Sequence, residues 1–306
     1  MIKVFSGTAN PALSSEVSGL LGIPCAKSEV IRFSNSEVRV RIDEDVKNTT
    51  CIVIQPTANP TDTNLIELFF FCDALRRMEA KKVIGIIPYF GYARQDIQHR
   101  PGECVSVNVI IRFLESIGFS KIYAIDLHDE ATEGVFSIPF KNLSALPLLA
   151  KRIKKYVGDD SIALISPDQG GIERTRKFGE YLFGKADCDF GIIEKKRDLD
   201  NIHKSEAMAL YGKVEGKTVV LIDDLTTSGG TLINAAEFCI KNRAKRVVAG
   251  VVHHDFSPDA QEKLQASVID RFFTTNTISL SDKQKFEKLD EVSVASLIAD
   301  EIKSFL

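Results

Sequence analysis

Two adjacent carboxylates, Asp223 and Asp224, close an apolar run in the segment KTVVLIDDLTTSGGT, residues 217–231. At the end of a buried strand they repel each other unless something binds them, because ionised groups are costly to take out of water. A sugar diol, which donates two hydrogen bonds, is one fitting occupant, and a metal ion is another. The residues that follow, Thr226, Thr227, Ser228, Gly229, Gly230 and Thr231, supply hydroxyls, glycines that admit a ligand close to the backbone, and free N–H groups where a helix begins. That combination suits an anion such as a phosphate. An ordinary strand-to-helix turn with the aspartates as caps would account for a Gly-Gly pair alone, but not for a paired acid followed by a run of hydroxyls.

Other segments place reactive side chains in the same setting. SPDQGG puts Asp168 before a second Gly-Gly turn at a helix start, repeating the anion-site pattern. The strand CDFGIIEKKR ends in Lys195, Lys196 and Arg197. Three consecutive cations are most often simply solvated, yet beside acidic loops on one sheet edge they supply the local positive charge that a polyphosphate requires. The polar stretch beyond them, DLDNIHKSEA, has no clear periodicity. KIYAIDLHDEATEG is a strand ending in Asp126 and His128. An isolated histidine is more often structural than a ligand, whereas one beside two carboxylates at a strand end is a better metal candidate. The loop YFGYARQDIQHRPGECVS brings Arg94, Gln95 and Asp96 to the end of another strand, the position of a ligand wall in an open sheet. Phe33, Asn35 and Glu37 lie in FSNSE between two alternating strands, which pattern alone reads as a hairpin turn.

The elements that position these residues alternate strand and helix. Thr218 to Ile222 have the Val/Ile/Leu character of a strand covered on both faces, and the chain from Thr231 onward is helical. IKVFSG reads as a strand, and Asn10-Pro11 opens a helix that Gly22 ends. Val38, Val40 and Ile42 alternate with Arg39 and Arg41 as in a half-buried strand. The order strand, loop, helix, Ala-Lys-(Lys/Arg), strand occurs at Ala80 and again at Ala244, 164 residues later, which suggests a duplicated α/β unit. A boundary is expected near Asn142 to Leu148, and the last helix, with Val294, Leu297, Ile298 and Ile302 on one face, is expected to pack back on the first half.

Composition narrows the function classes. With 306 residues, 44% of them hydrophobic and 26% charged, the chain can bury a core of two-domain size. A net charge of −3 gives no electrostatic case for nucleic acid. Runs such as IELFFF and VIGIIPYF are too short for a membrane span, and MIKVFSGTANP lacks the apolar core of a signal peptide, so a cytoplasmic location is expected. The six cysteines are scattered with no CxxC pair, which speaks against a zinc site or a disulfide framework.

VVLIDDLTTSGGT is similar to the phosphoribosyl pyrophosphate loop shared by type I phosphoribosyltransferases and ribose-phosphate pyrophosphokinases. The set RQD, DLH, SPDQGG, EKKR and DDLTTSGGT resembles the pyrophosphokinases over essentially the whole chain. That resemblance implies an α/β protein of two similar domains of type I phosphoribosyltransferase fold, each with a central, mainly parallel sheet flanked by helices. Residues 1–146 plus 291–306 would form the N-terminal domain, and 147–290 the C-terminal domain with the ribose-phosphate loop. It implies transfer of the β,γ-pyrophosphoryl group of ATP to the anomeric hydroxyl of ribose 5-phosphate, giving phosphoribosyl pyrophosphate and AMP, with Mg²⁺ as cofactor.

By the same resemblance Lys195 and Arg197 are catalytic, at the start of a flexible flap. Phe33, Asn35, Glu37, Arg94, Gln95 and Asp96 bind ATP. Asp223 and Asp224 take the ribose hydroxyls; Thr227, Ser228, Gly229, Gly230 and Thr231 take the 5-phosphate; His128 and Asp168 hold Mg²⁺. In the family the FSNSE hairpin reaches a neighbouring subunit's active site, which implies a homo-oligomer with shared sites, no nucleic acid and no membrane. Departures from the family pattern are Thr227, where many members carry Asp, and Ile97-Gln98-His99, where many carry a longer basic run. The competing readings are a salvage phosphoribosyltransferase, which usually has one such domain, and a catalytically inactive regulatory homologue, which would have lost Lys195, Arg197, His128 or Asp168.

Overall fold

The computed structural model describes residues 1–184, 189–197 and 205–304, without the side chains of 195–197 and 205–208. The chain divides into two compact units, the first comprising Met1–Ser144, Thr277–Ser279 and Ser293–Leu306, the second Ala145–Asn276 and Leu280–Val292.

The first unit opens with β1 (Ile2–Ser6) and α1 (Pro11–Leu21). Asn10 caps α1 by accepting from the Leu13 N–H at 3.1 Å, Pro11 fits the first turn, and Gly22, with φ 67°, ends the helix. An antiparallel hairpin follows, β2 (Ser28–Arg32) and β3 (Val38–Ile42), in which Val30 pairs with Val40. Then come β4 (Thr50–Ile54), α2 (Thr61–Arg77), β5 (Lys82–Ile87), α3 (Ser106–Ile117), β6 (Lys121–Ile125) and β7 (Phe140–Leu143). The sheet is wholly parallel in the order β1-β4-β5-β6-β7. Its strands read as continuous apolar runs because both faces are covered; Cys51 to Ile54 are all fully buried. Phe71 and Leu75 from α2 and Ile111 and Leu114 from α3 pack with Cys51, Val53 and Val83 in the core.

The second unit runs α4 (Leu146–Val157), β8 (Ile162–Ser166), α5 (Ile172–Phe183), β9 (Asp189–Arg197), β10 (Ser205–Tyr211), β11 (Thr218–Thr226), α6 (Gly230–Lys241), β12 (Arg246–His254), α7 (Ala260–Ala266), β13 (Ile269–Thr275) and β14 (Leu289–Val292). Its sheet has the order β10-β9-β8-β11-β12-β13-β14, parallel except for β10. From β8 the chain winds one way to β9; after β10 it crosses to β11, on the other side of β8, and winds the opposite way. The adjoining carboxyl ends of β8 and β11 are therefore a topological switch point, where open α/β sheets take ligands. Leu232, Ala235 and Cys239 of α6 and Leu264 of α7 cover one face. On the other face Gly250 leaves room for Ile153 of α4, which would lie 3.0 Å from an added Cβ. The final helix, α8 (Ala295–Lys303), packs against α1 in the first unit.

Several elements differ from the sequence reading. β11 continues four residues past Ile222, so Asp223 and Asp224 are part of the strand rather than of the loop. β7 and β10 were hidden in segments read as a boundary and as aperiodic. β7 is only four residues long, and β10 is an antiparallel edge strand on β9 whose start, Ser205 to Ala207, falls inside the aperiodic stretch. Residues 198–204, where the flap was expected, lie outside the described residues.

The suspected duplication is visible in backbone geometry. Thr49 N–H donates to Val46 O ahead of β4, and Lys217 N–H to Val214 O ahead of β11, both at 3.0 Å. After each helix, Ala80 N–H donates to Leu75 O and Ala244 N–H to Cys239 O, both at 3.1 Å. Glu79 and Arg243 occupy the same left-handed turn, with φ of 59° and 65°. Thr50 and Thr218 start the two strands 168 residues apart, while Arg77 and Lys241 end the two helices 164 apart, so on this common frame α2 begins about one turn earlier than α6.

The two copies differ most where the strand ends. Gln55 stands at the position of Asp223, and Glu67, its side chain wholly buried, lies beside it. Glu67 accepts from the Thr8 N–H and hydroxyl, both at 2.6 Å, from Gln55 Nε2 at 3.1 Å and from Arg32 at 2.7 Å. Four donors satisfy a carboxylate that would otherwise be too costly to bury.

Candidate active site

The ladder between β8 and β11 ends at Ile165 and Leu221, so Asp223 and Asp224 project past the last rung into the switch-point crevice. Successive strand residues point to opposite faces, yet both carboxylates reach one nitrogen. Arg174 Nη1 lies 3.4 Å from Asp223 Oδ1 and 3.2 Å from Asp224 Oδ1. The Asp224 N–H also donates to Asp223 Oδ1 at 3.0 Å. Burial, and then the neighbouring charge of Asp224, push the Asp223 carboxyl well above its ordinary range, while Arg174 draws it back down. A cationic or hydrogen-bond-donating occupant would relieve the pair.

The hydroxyl-rich loop beyond it opens α6. Gly229, the residue before the helix, has φ 77°, and an added Cβ would sit 3.0 Å from Leu264, so a side chain there would be strained. No side chain caps α6. The Gly230 N–H makes a long bond to Ser228 Oγ, 3.4 Å, and the dipole of this helix start favours negative charge. The loop is pinned from β12 onward: Asp255 N–H donates to Thr226 O at 3.0 Å and Ser257 N–H to Thr227 O at 3.1 Å.

Asp168 lies in the turn between β8 and α5, on the other wall of the crevice. Gly171 N–H donates to its Oδ1 at 3.1 Å, and Ser166 Oγ to its carbonyl at 2.6 Å. Lys195 and Arg197 sit at the carboxyl end of β9, next to β8, with Lys195 opposite Ala207 and Arg197 opposite Ser205 on β10. One sheet edge of the second unit thus collects the acidic pair, the anion loop, Asp168 and the cationic strand end.

The first unit presents its own strand-end loops. Arg94 and Gln95 are exposed and Asp96 half-buried after β5. Gln95 also anchors the loop, since its Oε1 accepts from Ser106 Oγ at 2.5 Å and its carbonyl from Val107 N–H at 3.3 Å, at the start of α3. After β6, Asp126 adopts φ 42°, a strained value for a residue with a side chain, and its Oδ1 accepts from Ser144 at 2.9 Å. His128, two residues on, is exposed. In the hairpin, Phe33 N–H donates to Glu37 O at 2.9 Å and Glu37 N–H to Asn35 Oδ1 at 3.2 Å, with the Phe33 ring 45% exposed. An exposed aromatic on a well-bonded turn offers a stacking surface to a base.

Sequence reasoning passed over Arg174, one of several basic residues on a polar helix. The available signal was its place in the first turn after SPDQGG. Among the described residues no three His, Cys, Asp or Glu side chains form a ready-made metal cage, and no helix is long and apolar enough to cross a membrane.

Known proteins are similar to this chain over nearly its whole length. The model for the N-terminal domain of ribose phosphate pyrophosphokinase matches residues 2–118, and that for the phosphoribosyl synthetase-associated domain matches 191–306. The chain is 38% identical to a ribose-phosphate pyrophosphokinase of Fusobacterium nucleatum over 98% of this chain and 94% of that one. It is 36% identical to that of Bacillus subtilis over 98% and 93%. Its fold is similar to the crystal structure of phosphoribosylpyrophosphate synthetase from Mycobacterium smegmatis, with a TM-score of 0.92 and 30% identity over 99% of this chain and 98% of that one.

Proposed function

The chain belongs to the ribose-phosphate pyrophosphokinase family, and from that premise we propose how its residues divide the reaction. It transfers the pyrophosphoryl group of ATP to the C1 hydroxyl of ribose 5-phosphate, forming phosphoribosyl pyrophosphate and AMP for nucleotide biosynthesis. The hydroxyl oxygen bonds to the β-phosphorus, the bond to the AMP oxygen breaks, and the hydroxyl proton is released.

Asp223 and Asp224 accept from the ribose hydroxyls, and Thr227, Ser228, Gly229, Gly230 and Thr231 hold the 5-phosphate at the open start of α6. The observation that carries this is a buried acidic pair, unstable by itself, beside an uncapped helix N-terminus at the switch point. Lys195 and Arg197, from the neighbouring strand end, neutralise the transferring group, since phosphoryl-type transfer depends on alignment and charge cancellation more than on covalent help. Phe33, Asn35 and Glu37 receive adenine from a neighbouring copy in a homo-oligomer, and Arg94, Gln95 and Asp96 contact the nucleotide.

The donor set fits Mg²⁺, which binds through one or two carboxylates and substrate phosphates rather than a full protein cage. Asp168 is partly exposed with its Oδ1 fixed by Gly171. Asp168 in the second unit and His128 in the first are the candidate Mg²⁺ ligands, and bound Mg²⁺ would offset charge on the ATP oxygens. A cytoplasmic location accords with this metabolic role. The test is production of AMP and phosphoribosyl pyrophosphate from ATP and ribose 5-phosphate, with and without Mg²⁺. Absence of both products at saturating Mg²⁺ would reject the assignment.

A further inference from the structure

We infer that Arg174 is a positioning residue for the sugar: its guanidinium holds the Asp223 and Asp224 side chains turned toward one point, so that both accept from the ribose hydroxyls. This rests on the assignment of the acidic pair to those hydroxyls. Nη1 bridges Oδ1 of both carboxylates at 3.4 and 3.2 Å, and the three side chains are 14%, 15% and 7% exposed. Without a cation between them, two carboxylates at one desolvated point repel and rotate apart.

The backbone holds Arg174 there deliberately. It lies in the first turn of α5, whose start is tied down by Gly171 N–H to Asp168, by Thr175 Oγ1 to the Gly171 carbonyl at 2.8 Å and by the Ser166 hydroxyl to the Asp168 carbonyl. Gly171 packs so closely that an added Cβ would lie 2.8 Å from Ser166 Oγ. The turn that presents Asp168 therefore also aims Arg174 across to β11. A planar guanidinium serves two carboxylates at a fixed angle better than an ammonium, which is a point charge on a flexible stem.

Steady-state kinetics on Arg174→Met, Arg174→Lys and Asp224→Ala test the inference, with ribose 5-phosphate and 2-deoxyribose 5-phosphate as sugars. Arg174→Met is expected to raise KM for ribose 5-phosphate about tenfold or more, the scale of losing one charge-assisted hydrogen bond. KM for ATP should stay within about twofold, and the preference for ribose over deoxyribose should fall, because the pair reads the diol. Arg174→Lys should recover part of the loss. A merely structural role would instead lower the turnover number and the melting temperature and leave the preference between sugars intact, and that result overturns the inference. So does an unchanged KM for ribose 5-phosphate in Arg174→Met while Asp224→Ala raises it, an outcome that leaves the acidic-pair assignment standing. If Asp224→Ala has no effect on the sugar, the assignment fails and the inference with it. Should Arg174→Met fail to fold, Arg174→Lys decides, a wild-type KM overturning the inference and a raised one supporting it.

Discussion

Replacing Asp224 by alanine separates a sugar site from a metal site. Asp224 is only 5% exposed and shares Arg174 with Asp223, so the substitution removes one of two charged acceptors without opening a large apolar cavity. A hydrogen bond to a charged group contributes about 1.5–3 kcal/mol. Losing it should weaken ribose 5-phosphate by about 15- to 150-fold, at about 1.4 kcal/mol per factor of ten. The fold should tolerate the change, because one of two mutually repelling charges disappears and Arg174 keeps Asp223 as a partner. Titration calorimetry with ribose 5-phosphate, and separately with a non-hydrolysable ATP analogue and Mg²⁺, reads the two affinities. Weakening confined to the sugar is expected. Equal weakening of sugar and nucleotide would refute the reasoning and make the pair a metal site.

Alanine at Lys195 or at Arg197 should lower the turnover number by at least about a hundredfold, about 2.7 kcal/mol, with smaller changes in affinity, because in the proposed mechanism these cations act mainly on charge developing in the transition state; near-normal turnover in both variants would remove the mechanism. Mixing inactive Glu37→Ala protein with inactive Lys195→Ala protein should restore some activity if the hairpin serves a neighbouring copy, and no recovery after verified subunit exchange would end that idea. Asp160 accepts from Lys245, Thr218 and Arg246, which hold its carboxyl below the ordinary range. A depressed carboxyl stabilises the fold above its unfolded value, about 3.9, and loses that effect as the pH falls toward its folded value. Asp160→Asn should therefore melt below wild type at neutral pH, and the gap should narrow as the pH falls below about 4; a gap that is constant with pH would contradict this.

Much of the second unit was legible because its chemistry sits where periodicity changes. Val219 to Ile222 mark a fully covered strand, Gly229 and Gly230 mark its turn, and the acids between them have no structural excuse. The α1 boundaries were equally plain, since Asn10, Pro11 and Gly22 each have a local physical reason to stand at a helix end. The extension of β11 through Thr226 was not legible, because Asp223 and Asp224 are poor strand formers held in place by pairing with β12. Nor was Arg174. Its meaning depends on β11 lying beside β8, a neighbour relation set by the crossover after β10 and by nothing within α5 itself.

The shared frame of β4–α2 and β11–α6 also bears on stoichiometry. In the second unit the frame ends in Asp223 and Asp224 beside Arg174, whereas in the first Glu67, near the start of the shared part of α2, accepts from Gln55, Thr8 and Arg32. The cluster is closely set, for a Cβ added at Gly7 would lie 2.1 Å from Gln55. Because only the second copy carries the acidic pair, the chain should bind a single equivalent of sugar phosphate, and a calorimetric count of two would refute this. With Gln55 in place of an acid at that strand end, the first unit's remaining loops, around Phe33, Arg94 and His128, are under no constraint to serve the same ligand.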